Sequence, residues 1–326
     1  MEQRTLGKTG LRVSVLGFGC GNVGGLMVRG APAERERAVA RAIELGINYF
    51  DTAPSYGDGL SERHLGQTLR ALKATVYVGT KFRVEPGELA DAGGAIARSL
   101  EASLTRLGLE RVDLFQLHNL VGASPTAAQV LDAVVPALER LRGHGKIRFY
   151  GITALGETAA LHRVIDAGVL DTAQVCYNLL NPSAGVAVPA GFPAQDFGRL
   201  LDRVRRQQVG AIVIRVLAAG ALSGDMARHP VAVPAVEPIA SGPDYATDVR
   251  RARTLEVLVR EGHAGSLVEA ALRFPLASDA VSTVLLGYSS LEHLELAAAA
   301  MAKGPLPPAA HGRLAGLWRD FAAGSQ

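Results

Sequence analysis

The chain has 326 residues, 48% of them apolar and 20% charged, with 37 glycines and 16 prolines. That composition excludes a disordered or fibrous chain, and the length suits one α/β barrel as well as two smaller domains. The formal charge of +3 is dispersed along stretches such as 199–206 and 250–260, so neither nucleic acid nor a membrane is expected as a partner.

The opening MEQRTLGKTGLRVSVLGFG is too charged and too interrupted by glycine for a signal peptide. Arg4 to Leu11, turning at Lys8-Thr9-Gly10, predicts a small hairpin placed to close a barrel floor. Eight β-rich runs then follow, separated by amphipathic helical stretches: Val13–Cys20, Ile47–Thr52, Val76–Lys81, Val112–His118, Ile147–Thr153, Thr172–Asn178, Ala211–Leu217 and Val281–Gly287. The recurrence predicts a (β/α)8 TIM barrel as a single domain over residues 1–326, with the short N-terminal hairpin and extra helices near the C-terminus.

Among the connectors, Glu88 to Leu107 places Leu100, Leu104 and Leu107 on one helical face, and Ser61 marks another helix start. Residues 218–245 are rich in Gly, Pro and Ala and far longer than an ordinary βα loop, which predicts a lid or a cofactor-covering loop. Helical stretches at Asp248–Glu261, Ser266–Phe274 and Pro308–Phe321 complete the chain, with Trp318 covering a barrel wall. His64, His144 and His162 fall on surface helices or turns. Cys20 and Cys176 lie in apolar stretches with no histidines at ligand spacing, so no metal is expected and a reducing, cytoplasmic setting fits. The alanine-rich stretch after Leu291 carries Glu292, His293, Glu295 and Lys303 and needs no bilayer.

Gly19, Gly21 and Gly24 satisfy G-x-G-x-x-G, yet no helix opens at the last glycine and the β/α count runs far beyond one dinucleotide-binding half-sheet. A tight loop at the barrel mouth accounts for them better. In a barrel the chemistry gathers where strands end. Here the ends carry Asp51 with Tyr56 just beyond, Lys81, His118-Asn119, Thr153, Gln174 with Asn178, and Gly287-Tyr288-Ser289-Ser290. Singly these are a salt bridge, a core histidine and a loop aromatic; jointly they form a proton-transfer group. A phenol titrates near pKa ~10 unless a cation stabilises its phenolate. Lys81 supplies that cation, Asp51 holds it, and His118 orients a substrate oxygen. Such a site protonates an alkoxide as hydride reaches carbon, so a separate redox cofactor is required.

These motifs resemble the aldo-keto reductase family over nearly the whole chain: Asp51-Thr52-Ala53-Pro54-Ser55-Tyr56-Gly57 with Ser61-Glu62-Arg63-His64-Leu65-Gly66, then Val78-Gly79-Thr80-Lys81, then Leu114-Phe115-Gln116-Leu117-His118. The resemblance implies an NAD(P)(H)-dependent oxidoreductase that reduces an aldehyde or ketone, or oxidises an alcohol or sugar. Tyr56, Lys81, Asp51 and His118 would be its catalytic group. It also implies cofactor contacts at Gly19, Thr153, Gln174, Asn178, Arg215, Leu217, Gly220, Leu222, Gly287, Ser289 and His293, and a substrate pocket near Val23, Phe82 and Asn119. Three positions depart from the family pattern. Ala154 replaces an asparagine, Ile214-Arg215 stands where a Tyr-Ser pair is common, and Phe82 replaces a tryptophan.

The resemblance implies NADP(H) as the favoured cofactor, but only by a modest margin and with measurable NAD(H) use, because the segment after the eighth strand has no Arg or Lys and offers Ser289, Ser290 and His293 instead, with Glu292 opposing. Arg228 in the long loop is a further candidate cation. Two other readings stay open at this level: a Schiff-base enzyme on Lys81, and a nicotinamide-binding regulatory subunit with little turnover.

Overall fold

The structure is a computed structural model that describes residues 1–324. Its first element is a two-stranded antiparallel hairpin, β1 (Gln3–Thr5) and β2 (Arg12–Ser14), joined through a 3-10 turn at Gly7–Thr9. Eight parallel strands follow: β3 (Leu16–Gly19), β4 (Tyr49–Asp51), β5 (Tyr77–Phe82), β6 (Val112–Leu117), β7 (Ile147–Ala154), β8 (Thr172–Cys176), β9 (Gly210–Ile214) and β10 (Val281–Gly287). They close in chain order, with β10 pairing back onto β3. The expected (β/α)8 barrel and N-terminal hairpin are therefore present.

Several boundaries differ from expectation. Val13 and Ser14 belong to the hairpin, because the Asn48 side chain accepts from Ser14 N (2.8 Å) and Ser14 Oγ donates to Leu16 O (2.7 Å), breaking the run before β3. Ser61 does not cap its helix. That helix spans Leu60–Leu72 behind Gly59 at φ 80°, and the Ser61 hydroxyl donates to Cys20 O (2.8 Å) and meets Thr52 Oγ1 (2.8 Å). The helix Ala92–Leu107 starts later than expected, at an Asp91 cap, with a 3-10 segment Pro86–Asp91 before it.

Period-two alternation divides the strand side chains. Phe18, Phe50, Phe82, Phe115 and Tyr150 face outward into the layer beneath the helices, where they are fully buried. Inside the barrel, Tyr49, Leu114 and Ile212 pack with Leu6, Leu11 and Val13 of the hairpin region as an apolar plug at the floor. Trp318, on the closing helix Pro308–Ala323, is buried and donates to Leu179 O (2.9 Å). His144 is exposed, whereas His64 and His162 are half-buried, with Nδ1 of one 2.8 Å from Met27 O and Nε2 of the other 2.9 Å from Phe197 O. Among the described residues no helix is long and apolar enough to cross a membrane, and no group of three or more His, Cys, Asp or Glu could hold a metal ion.

Candidate active site and neighbouring cavity

Above the apolar plug the inward positions turn polar. Asp51, the last residue of β4, is 1% exposed and sits at the centre of a hydrogen-bonded group. Its Oδ2 accepts from Tyr49 OH (2.8 Å), Gln174 Nε2 (2.8 Å) and Gln116 Nε2 (3.4 Å), while Oδ1 pairs with the Lys81 ammonium. Lys81 Nζ also donates to Thr52 O (2.9 Å) and reaches Tyr56 OH at 3.3 Å. The ammonium thus joins the carboxylate to the phenol. Burial opposes the Lys81 charge, but Asp51 outweighs it and, with Tyr56, holds the lysine above its usual pKa. The cation stays charged where the phenol needs it.

The loop bearing Tyr56 is fixed from behind. Gly57, Asp58 and Gly59 all have positive φ (59°, 54° and 80°), which turns the chain sharply into the following helix. Glu62 of that helix is fully buried, accepts from Thr80 Oγ1 (2.6 Å) on β5 and pairs with Arg106 Nε (2.5 Å). His118 follows β6, its ring 6.0 Å from that of Tyr56 and at 88° to it. Burial, then Lys81 and Arg83, push the imidazole down to about 3. It is neutral near pH 7 and keeps one N–H to donate.

The strand-end residues separate into two sets. Tyr56, Lys81, Asp51 and His118 converge on the mouth. Val23, Arg215, Leu217, Gly220, Gly287, Ser289 and His293 line a neighbouring cavity of about 820 Å³. Gly19 pairs with Gly287 and Asp51, and a Cβ there would meet Leu286 O at 2.9 Å, so the strand contact itself requires glycine. Leu222, in the turn Ala218–Ser223, is wholly buried and does not line the cavity.

Thr153 and Gln174 are buried side by side, Thr153 Oγ1 donating to Gln174 Oε1 (3.3 Å), with the Gln174 amide given to Asp51. Asn178 donates to Arg215 O (2.9 Å) and accepts from Leu180 N and Asn181 N (2.9 Å each). Asn119 bridges both backbone groups of Val84 (3.0 and 2.9 Å). Phe82, expected on the substrate wall, lies elsewhere. One step beyond inward-facing Lys81, it points to the opposite face and packs on Phe115, with ring centroids 4.6 Å apart.

Residues 218–245 cross the cavity as a strap. Its first turn, Ala218–Ser223, contains Ala218, Ala219 and Gly220 at φ 46°, 59° and 110°. Arg228 folds back to donate to Ala219 O and Val233 O (2.7 Å each) and lies over the Tyr245 ring. Arg29 Nε donates to Val231 O (2.7 Å) and Asn181 Nδ2 to Ala240 O (2.5 Å), so the strap is tied to two sides of the mouth. His229 of the strap stacks edge-on against His293, with centroids 5.6 Å apart, an approach that sequence spacing could not reveal. Gln116 and Tyr49 also escaped the sequence reading as supports of Asp51. Their inward register is the signal that finds them.

The comparisons agree with the barrel fold. A sequence model of the Aldo/keto reductase family matches residues 15–319. L-galactose dehydrogenase of Arabidopsis thaliana is 38% identical over 158 residues, 48% of this chain and 49% of that protein. Aldo-keto reductase yakc [NADP(+)] of Schizosaccharomyces pombe is 27% identical over 149 residues, 43% of this chain and 42% of its own length. The matched stretch thus spans about half or less of these curated relatives. The holo form of an aldo-keto reductase from Bacillus halodurans superposes with a TM-score of 0.72 at 26% identity, covering 98% of this chain and 96% of that one. With the family matched from β3 into the closing helix, the chain belongs to the aldo/keto reductase family.

Proposed function

We propose that this chain is an NADP(H)-dependent oxidoreductase that reduces an aldehyde or ketone to an alcohol, or runs the reverse oxidation of an alcohol or sugar. The observation that carries the reading is the Lys81 ammonium, paired with Asp51 and 3.3 Å from the Tyr56 hydroxyl. In the reducing direction Tyr56 gives its proton to the substrate oxygen, and Lys81 stabilises the phenolate left behind. In the oxidising direction the phenolate takes the proton back. Neutral His118 donates a hydrogen bond to the same oxygen and fixes its orientation. When bound, the nicotinamide supplies or accepts the hydride.

The residues present fit such a cofactor. Arg215 Nη1 is buried with no hydrogen-bond partner among the described residues, and a Cβ on Gly24 would strike the Tyr288 backbone at 2.5 Å, so the cavity wall is bare backbone there. Ser290 caps the helix Leu291–Ala302, whose first-turn amides favour a phosphate. NADP is the expected partner, as the name of the Schizosaccharomyces pombe relative supports. With no Arg or Lys in residues 287–294, its preference over NAD is only modest.

The test is a panel of aldehydes, ketones, sugars and alcohols, followed by reduced-nicotinamide absorbance in both directions with both cofactors. Turnover that disappears in Tyr56→Phe supports the reading. Tight cofactor binding without turnover on any member would instead indicate a nicotinamide-binding regulatory subunit. Titration of NADPH and NADH should show NADP favoured with measurable NAD use, and a preference for NAD of more than a few-fold would contradict the cofactor assignment.

A further inference from the structure

Arg215 is a cation that makes no ion pair among the described residues. It follows β9 at φ 58°, a conformation that residues with side chains seldom adopt. Asn178 Nδ2 (2.9 Å) and Ala218 N (2.8 Å) both donate to its carbonyl and hold the turn, and its side chain lines the cavity. Nη1 is buried and has no partner among the described residues. The titratable groups within its electrostatic reach are Cys176, Tyr56, Arg228 and Asp248. None forms an ion pair with it. Cys176 is a buried thiol whose pKa is raised, Arg228 is itself cationic, and Asp248, which favours the Arg215 charge, spends its hydrogen bonds on Ser241 Oγ and Gly242 N. A guanidinium nitrogen buried without a partner, in a half-buried side chain that lines the cavity, is costly, which points to a role in what the cavity holds.

Resting on the reading that the cavity takes a nicotinamide cofactor, we infer that Arg215 selects the redox state of that cofactor, favouring the neutral reduced ring over the cationic oxidised one. Hydride must pass to the carbon whose oxygen meets Tyr56. The ring therefore lies at the Tyr56 end of the cavity, the end that Arg215 occupies. The two redox states have nearly the same shape and differ by one positive charge on the ring. A fixed cation beside that ring weakens only the oxidised form, and over several ångströms in a partly desolvated site the effect is on the order of tenfold in affinity. Burial already lowers the Arg215 pKa, as a site inhospitable to a second cation should. Arg215 transfers no proton. It is a specificity residue that biases the chain toward carrying reducing equivalents into a reaction.

Calorimetric or fluorescence titrations of NADPH and oxidised NADP against wild type, Arg215→Met and Arg215→Lys test this directly. Wild type should hold NADPH more tightly. In Arg215→Met the ratio of the two Kd values should shrink by about tenfold, chiefly through tighter binding of the oxidised form. Arg215→Lys should keep the wild-type ratio. An unchanged ratio in Arg215→Met, whether both Kd values rise together or neither moves, overturns the inference and leaves a contact of another kind, such as one to a substrate carboxylate. Should the methionine variant fail to fold, Arg215→Gln, neutral and polar, carries the same comparison. A wild-type chain that binds neither form removes the cofactor reading itself, an outcome distinct from intact binding with an unaltered ratio.

Discussion

The floor and the mouth of the barrel are built on the same strands and filled by opposite chemistry. Leu114 and Gln116 are two residues apart on β6, both inward and both fully buried. Leu114 joins the apolar plug with Leu6, Leu11 and Val13, where removal from water is favourable by itself. Gln116 faces Asp51, in a layer where each buried polar group costs free energy until another satisfies it. The floor tolerates any close-packed apolar solution, whereas the mouth tolerates very few. The same wall therefore separates stability from chemistry within about two residues.

The sharpest way to break that division is at Tyr56. Tyr56→Phe deletes a transferable proton and almost no volume, so turnover should fall by ~100- to 10,000-fold with little change in melting temperature. Steady-state kinetics beside a thermal melt decide it, and near wild-type turnover would rule out the assigned proton donor.

Lys81→Met shows that the mouth bears on stability as well as chemistry, because it leaves the Asp51 carboxylate buried without its cation. It should be nearly inactive and also less stable by about 3–5 kcal/mol, read from chemical denaturation. A variant as stable as wild type would mean that Asp51 finds enough compensation in Tyr49, Gln116 and Gln174 alone.

At the floor, Leu114→Ala should cost about 2–5 kcal/mol of stability while the folded fraction keeps its kcat. Loss of kcat at full stability would show that the plug reaches into the chemistry.

The smallest effect concerns acid. His118 titrates near 6.5 when unfolded and at about 3 in the fold, so below pH 6.5 the unfolded chain binds a proton that the native chain refuses. Stability contributed by the neutral imidazole falls progressively as pH drops from about 6.5 toward 3. Melting temperature followed against pH should decline less steeply in His118→Gln, and parallel curves would dismiss the effect.

Much of this was legible in the chain. Strands bounded by glycine and polar residues, in regular alternation with helices, specify a barrel. Once a barrel is given, Asp51, Lys81 and His118 must share an end. What stayed hidden depends on register and on loop paths. The support of Asp51 by Gln116 and Gln174 spans 65 and 123 residues and needs strand pairing to be seen. Phe82 was misplaced because an aromatic beside an inward-facing strand-end lysine looks like a pocket wall until alternation sends it outward. Ser61 resembled a cap because caps use hydroxyls, and here the hydroxyl is taken by Cys20 O and Thr52.

The strap also has a consequence in time. The hairpin plugs one end of the barrel, and 218–245 is tied across the groove by Arg29, by Asn181 and by the Arg228 bond to Val23 O, so under the proposed function a cofactor cannot leave until several of those bonds open together. Opening of that kind runs on a clock independent of what substrate has just reacted. Chemically dissimilar substrates that react quickly should then converge on one common maximal rate, set by the strap and not by the bond being broken.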